Sequence, residues 1–149
     1  MELEKEIKQS LFKSPASKAV LNIIYTGNWL MGKTVQVLKP YGISAQQYNV
    51  LRILKGKTPE ATALADIQER MLDRMSNATR LVEKLRQKEY VTRVECAGNR
   101  RKVDIHITES GLKLLAAIHD KVNESESEMM SKLTPEQIEN LNTVLDQLR

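Results

Sequence analysis

A mainly α-helical chain with one small β-hairpin is what this sequence predicts, and three observations carry the prediction. Apolar residues recur at three- and four-residue steps through most of the 149 residues. The period switches to two only over 91–107, where strand formers alternate on either side of Ala97-Gly98-Asn99. Helix-start signals stand where the helical pattern begins: Ser14-Pro15, Ser44 with Gln47, and Thr134-Pro135 with Gln137.

Taken in order, the opening 1–13 carries mixed charge. Pro15 then fits a first helical turn behind Ser14. Val20, Ile23, Ile24, Leu30, Met31, Val35 and Leu38 mark a long amphipathic helix that Pro40-Tyr41-Gly42 ends. A second helix follows the Ser44–Gln47 capping box, with Tyr48, Val50, Leu51 and Leu54 as its stripe. Ala63, Leu64, Ile67 and Met71 predict a short third helix over 62–70. Asp73 is the expected N-cap of a fourth over 73–89, with Ala78, Leu81, Val82 and Leu85 on one face. The hairpin comes next, and its far end bears Arg100, Arg101 and Lys102. Thr108 then caps a helix to about 132, where Met129 and Met130 read as interface filler. Behind Thr134, Ile138, Leu141, Leu145 and Leu148 step three, four, three, the seam spacing of a helix that packs on another helix.

Composition bounds the function. Of the residues 28% are charged and 4% aromatic, and a length near 150 fits one domain. A single cysteine, Cys96, excludes an internal disulfide framework and makes a reducing compartment the default. No apolar run approaches the ~20 residues of a membrane span, and the charged opening is no secretory leader. A cytoplasmic chain without a membrane partner is the expectation. Charge is uneven: residues 1–72 sum to +4, residues 73–102 to +5 and residues 103–149 to −5. A basic middle on a compact fold raises the local concentration of a polyanion such as double-stranded DNA.

Two short helices around a tight turn, followed by a hairpin, suit a winged helix-turn-helix. A helix that enters the major groove must be apolar behind and carry short polar or Arg side chains in front. On 73–89 the front would hold Arg74, Ser76, Asn77, Thr79, Arg80 and Lys84. Asn suits adenine and Arg suits guanine through paired hydrogen bonds, while Lys84 suits phosphate. The wing over 97–102, with Asn99, Arg100, Arg101 and Lys102, would lie at the minor groove.

Leu64-Ala65-Asp66-Ile67, Thr79-Arg80-Leu81-Val82-Glu83-Lys84-Leu85, Val91-Thr92-Arg93, Asn99-Arg100-Arg101 and Ile107-Thr108-Glu109-Ser110-Gly111 together resemble the MarR family of bacterial transcriptional regulators. The resemblance implies a homodimer, triangular in outline, on a pseudo-palindromic operator, and favours a repressor. It divides a single subunit over 1–149 into a winged region, 44–108, and dimerisation helices, 1–40 and 109–149. The family wing usually carries Asp-x-Arg; here Asn99 stands first, and the resemblance gives Arg101 a structural role for which Asp73 is the available partner. It also suggests a small aromatic effector in a pocket lined by Tyr25, Trp29, Met31 and Tyr48, with dimer core as the competing reading. Independently, the apolar faces of the terminal helices are too extensive for one small winged domain and call for a partner.

Enzymatic chemistry finds no support: there is no Gly-rich phosphate loop and no nucleophile–base–acid set. His106 and His119 lack a ligand-spaced partner, so neither a metal nor another cofactor is expected. Cys96 sits at a strand end and reads as inert packing rather than a redox sensor. The competing function is a winged-helix protein-interaction module without sequence-specific DNA binding.

Overall fold

The structure, a computed structural model, describes residues 2–149, with the side chains of Arg100 and Arg101 outside the description. Its elements are helices α1 (Leu3–Glu6), α2 (Pro15–Leu38), α3 (Ala45–Lys55), α4 (Leu64–Arg70), α5 (Ala78–Gln87), α6 (Glu109–Met130) and α7 (Pro135–Gln147), and strands β1 (Thr62–Ala63), β2 (Val91–Cys96) and β3 (Asn99–Ile107). Local chemistry fixes most helix starts. The Ser14 hydroxyl accepts from the Ser17 N–H, and a 3₁₀ turn at Lys39–Tyr41 with Gly42 at φ 67° ends α2. Full capping boxes open α3 (Ser44 with Gln47) and α7 (Thr134 with Gln137).

Two expectations about the middle of the chain are corrected. The segment expected as one helix over 62–70 begins with two strand residues: Thr62 and Ala63 pair antiparallel with Ile105 and Asp104, giving a three-stranded sheet in the order β1-β3-β2. The helix expected over 73–89 runs only from Ala78 to Gln87. Asp73 does not cap it; its Oδ1 accepts from the Met75 N–H at 3.0 Å within the loop. Asn77 is the cap, its Oδ1 accepting from the Arg80 N–H at 3.0 Å. The opening 1–13, read only as charged, contains the single turn α1, whose Leu3 is buried.

The end of α5 is a left-handed cap. Glu89 adopts φ 64°, its N–H donates to the Arg86 carbonyl, and the Tyr90 N–H reaches back to the Leu85 carbonyl at 3.0 Å. Thr108 then ties this corner to α6. Its Oγ1 donates to the Glu89 carbonyl at 2.7 Å and also accepts from the Gly111 N–H at 3.1 Å.

The core joins α3, α4, α5, the sheet and the first half of α6 through Leu51, Leu54, Ile67, Val82, Leu85, Ile105 and Ile118. Outside it, α2 leaves Val20, Ile23, Ile24 and Val35 exposed, and α7 buries no residue. No helix of the described residues is long and apolar enough to cross a membrane.

Candidate nucleic-acid interface

The candidate DNA-reading surface is built on α5. Ala78, Val82 and Leu85 face the core, and Thr79, Arg80 and Lys84 are exposed on the other side. This is the division a groove-reading helix requires. Among the described residues, Arg80 and Lys84 make no ion pair, whereas Arg86 is held by Glu83 through bonds of 3.0 and 2.8 Å. The Arg86 hydrogen bond lowers the Glu83 carboxyl below the usual range, with the Arg86 charge, Gln87 and the Arg93 charge adding to it and burial opposing. Arg80 and Lys84 are therefore the uncommitted cations of the helix.

Three residues expected on the face of this helix lie before it. Arg74 and Ser76 sit in the loop, and the Arg74 guanidinium donates to the Glu69 carbonyl. The Ser76 hydroxyl is buried, with no hydrogen-bond partner among the described residues. Asn77 is at the surface, but its Oδ1 is occupied as the helix cap. Sequence reasoning missed two other side chains that hold this loop, Gln68 and Asn49. Their signal, polar residues on otherwise amphipathic helices, is too common to single them out.

The wing is formed by β2 and β3, which are in antiparallel register from Val91↔Ile107 to Glu95↔Val103, with an irregularity at Glu95/Cys96. Gly98 takes φ 84° in the turn, a conformation that favours glycine. Asn99 and Lys102 are exposed on β3. Arg100 and Arg101 occupy β3 between them; the contacts expected of both, including the Arg101–Asp73 pair, lie outside the described residues. The Cys96 thiol donates to Asp104 Oδ2 at 3.3 Å. That hydrogen bond, helped by burial and the Asp104 charge and opposed by Lys102, pushes the thiol above its usual range. A reactive sensor thiol needs the opposite shift.

The four residues expected to line one effector pocket divide between two cavities. Met31 and Tyr48 line a cavity of about 500 Å³ between α2, α3 and α6, together with Arg52, His119 and Met129. Asn49, Leu72 and Asp73 form its wall toward the loop before α5. Tyr25 and Trp29 instead border a separate cavity of about 430 Å³ beside α1, lined also by Leu3 and Glu6. There the Tyr25 hydroxyl donates to Glu6 Oε2 at 2.7 Å.

On α7, Ile138 and Leu145 are half-buried and Leu141, Val144 and Leu148 are exposed, so the anticipated seam residues stand on an uncovered apolar face. No group of three or more His, Cys, Asp or Glu among the described residues is placed to hold a metal ion.

A sequence model of the MarR family matches residues 43–103, from the residue before the α3 cap to the first residue past the cationic tip of the wing. Over 111 residues the chain is 25% identical to the HTH-type transcriptional regulator PecS of Dickeya dadantii, a match spanning 74% of this chain and 67% of PecS. Over 83 residues it is 35% identical to the HTH-type transcriptional regulator YpoP of Bacillus subtilis, spanning 55% of this chain and 57% of YpoP. The matched region, residues 43–103, is similar to that of the MarR family of transcriptional regulators. The crystal structure of a MarR transcription factor from Planctomyces limnophilus extends the MarR likeness to the terminal helices: its TM-score is 0.71 at 28% identity, over 92% of this chain and 99% of that one. MepR of S. aureus, solved as a DNA complex, shares the MarR fold with a TM-score of 0.75 at 22% identity, over 85% of this chain and 92% of MepR.

Proposed function

We propose that the chain acts as a homodimer that reads a pseudo-palindromic operator, with α5 in the major groove and the β2–β3 wing at the minor groove, and that it represses transcription. The observation that carries this reading is the uncommitted Arg80–Lys84 face of α5, apolar behind, followed in the chain by a hairpin with three consecutive cations at its tip. Thr79 and Arg80 face base edges; Lys84 and the wing hold the backbone. The winged region is 44–108, and 1–40 with 109–149 supply the dimer contacts. The exposed apolar faces of α2 and α7 support that division, with Ile138, Leu141, Leu145 and Leu148 in the seam.

Response to a small aromatic effector belongs to the same proposal. The larger cavity combines Met31, Tyr48 and Met129 with the cation Arg52, a lining suited to an aromatic acid. Its wall includes Leu72 and Asp73, so an occupant bears directly on the loop that leads into α5. Two half-sites must lie about one helical turn, roughly 34 Å, apart, and an effector acts by favouring a different separation of the two α5 helices.

Selection of bound duplexes from a random pool tests the reading. A symmetric motif with half-sites one turn apart is expected, and its affinity should fall with rising salt by a slope of about 0.9 per phosphate contact. Absence of binding to any duplex at low salt would reject DNA reading and leave a protein-interaction module.

A further inference from the structure

The seven residues 71–77 between α4 and α5 reverse the chain and present α5 at one angle. Backbone groups in such a loop, and the first N–H groups of the helix after it, have no ladder partner of their own. Side-chain amides from two neighbouring helices take up three of them. Gln68 on α4 is half-buried; its Nε2 donates to the Ser76 carbonyl at 2.8 Å and its Oε1 accepts from the Ala78 N–H at 2.9 Å. One amide thus straddles Asn77, the cap of α5. Asn49 on α3 accepts from the Leu72 N–H at 2.9 Å, pinning the other end of the loop. Ala78 is 2% exposed, so water is a poor substitute at its N–H if Gln68 is removed. A primary amide suits the straddle because it offers a donor and an acceptor at neighbouring atoms.

We infer that Gln68 and Asn49 are positioning residues for DNA reading: together they brace the loop and set the first turn of α5, and with it the direction in which Thr79 and Arg80 meet the bases. This rests on the DNA reading proposed above. A groove reader tolerates little error, since a small rotation of α5 displaces its paired hydrogen bonds from the base edges while leaving phosphate contacts largely intact. Loss of the brace therefore removes discrimination rather than binding as a whole.

The experiment uses the full chain and four variants: Gln68→Met, which keeps the side-chain length and loses both bonds; Gln68→Asn, one methylene too short to straddle; Asn49→Ala; and Asn49→Asp, which keeps the acceptor. Amide hydrogen exchange on the free protein is measured first. The Ala78 N–H is expected to exchange about tenfold faster in Gln68→Met and Gln68→Asn, and the Leu72 N–H about tenfold faster in Asn49→Ala but not in Asn49→Asp, with α6 core amides unchanged. The ratio of affinities for the selected operator and a random duplex is then measured at one salt concentration. It should drop about tenfold in the first three variants and recover in Asn49→Asp, with random-duplex affinity unchanged. Unaltered exchange at Ala78 and Leu72 overturns the brace, and altered exchange with an unaltered ratio overturns its positioning role. Should Gln68→Met fail to fold, Gln68→Asn is judged by the same criteria. If the unaltered protein prefers no duplex, the DNA reading fails, and exchange alone decides whether the brace exists.

Discussion

At the scale of single residues, Arg80 and Cys96 show how one hydrogen bond decides what a side chain does. Arg80 and Arg86 are both exposed on α5, but Glu83 engages only Arg86. Arg80→Ala should weaken binding to the preferred operator by about 1–3 kcal/mol and relax base preference, measured against a panel of single-base operator changes. Arg100→Ala, on the wing, should weaken binding more evenly across sequences. For Cys96, the bond to Asp104 raises the thiol, so less thiolate is present at any given pH. Alkylation by iodoacetamide near neutral pH should be slower than for a free cysteine and should accelerate in Asp104→Asn, which removes the charge that opposes ionisation. Equal rates in the two proteins would show that Asp104 does not control the thiol.

At the scale of elements, the corner between α5, β2 and α6 holds α5 to the wing. Glu89 bears the left-handed conformation at the end of α5, where a side chain costs about 1 kcal/mol relative to glycine. Glu89→Gly should therefore raise the melting temperature by a few degrees, with the secondary structure unchanged. Gly111 has the opposite sensitivity. A Cβ there would run into the Tyr90 carbonyl and lie 2.7 Å from Ile107 Cγ1, and the first of these is backbone that cannot rotate away. Gly111→Ala should destabilise by about 1–3 kcal/mol in denaturant unfolding. Of these elements, the caps at Ser14, Ser44, Thr108 and Thr134 were legible in the sequence because each is an exchange between residues three apart. The strand at Thr62 was not, because its partner Ile105 is 43 positions away in the chain and two residues carry no period.

For the whole molecule, the apolar faces of α2 and α7 decide the assembly proposed above. Their exposure in a single chain is costly in water unless a second copy covers them. Leu141→Asp places a charge in the centre of the α7 stripe and should shift light scattering from a dimer to a single chain, with operator affinity falling in parallel; a dimer that persists would remove α7 from the interface. The candidate site was legible in outline for the same reason as the fold: the alternation of buried Val82 and Leu85 with exposed Arg80 and Lys84 follows from helical period alone. The pocket was not. Tyr25, Trp29, Met31 and Tyr48 are similar in character, and only the packing of α3 and α6 across α2 sorts them into two cavities.

By itself the sequence determined the helical class, the one hairpin, the helix caps and the two-sided character of α5, all of which depend on neighbours within one or two turns. Tertiary structure decided where α5 begins. Asp73 and Asn77 are both competent cap residues, and nothing local chooses between them. Gln68 chooses, because its amide reaches from α4 to the Ala78 N–H and makes Asn77 the first residue outside the helix. That contact exists only once α4 and α5 have packed, so it is a property of the folded chain and not of the segment that forms the helix.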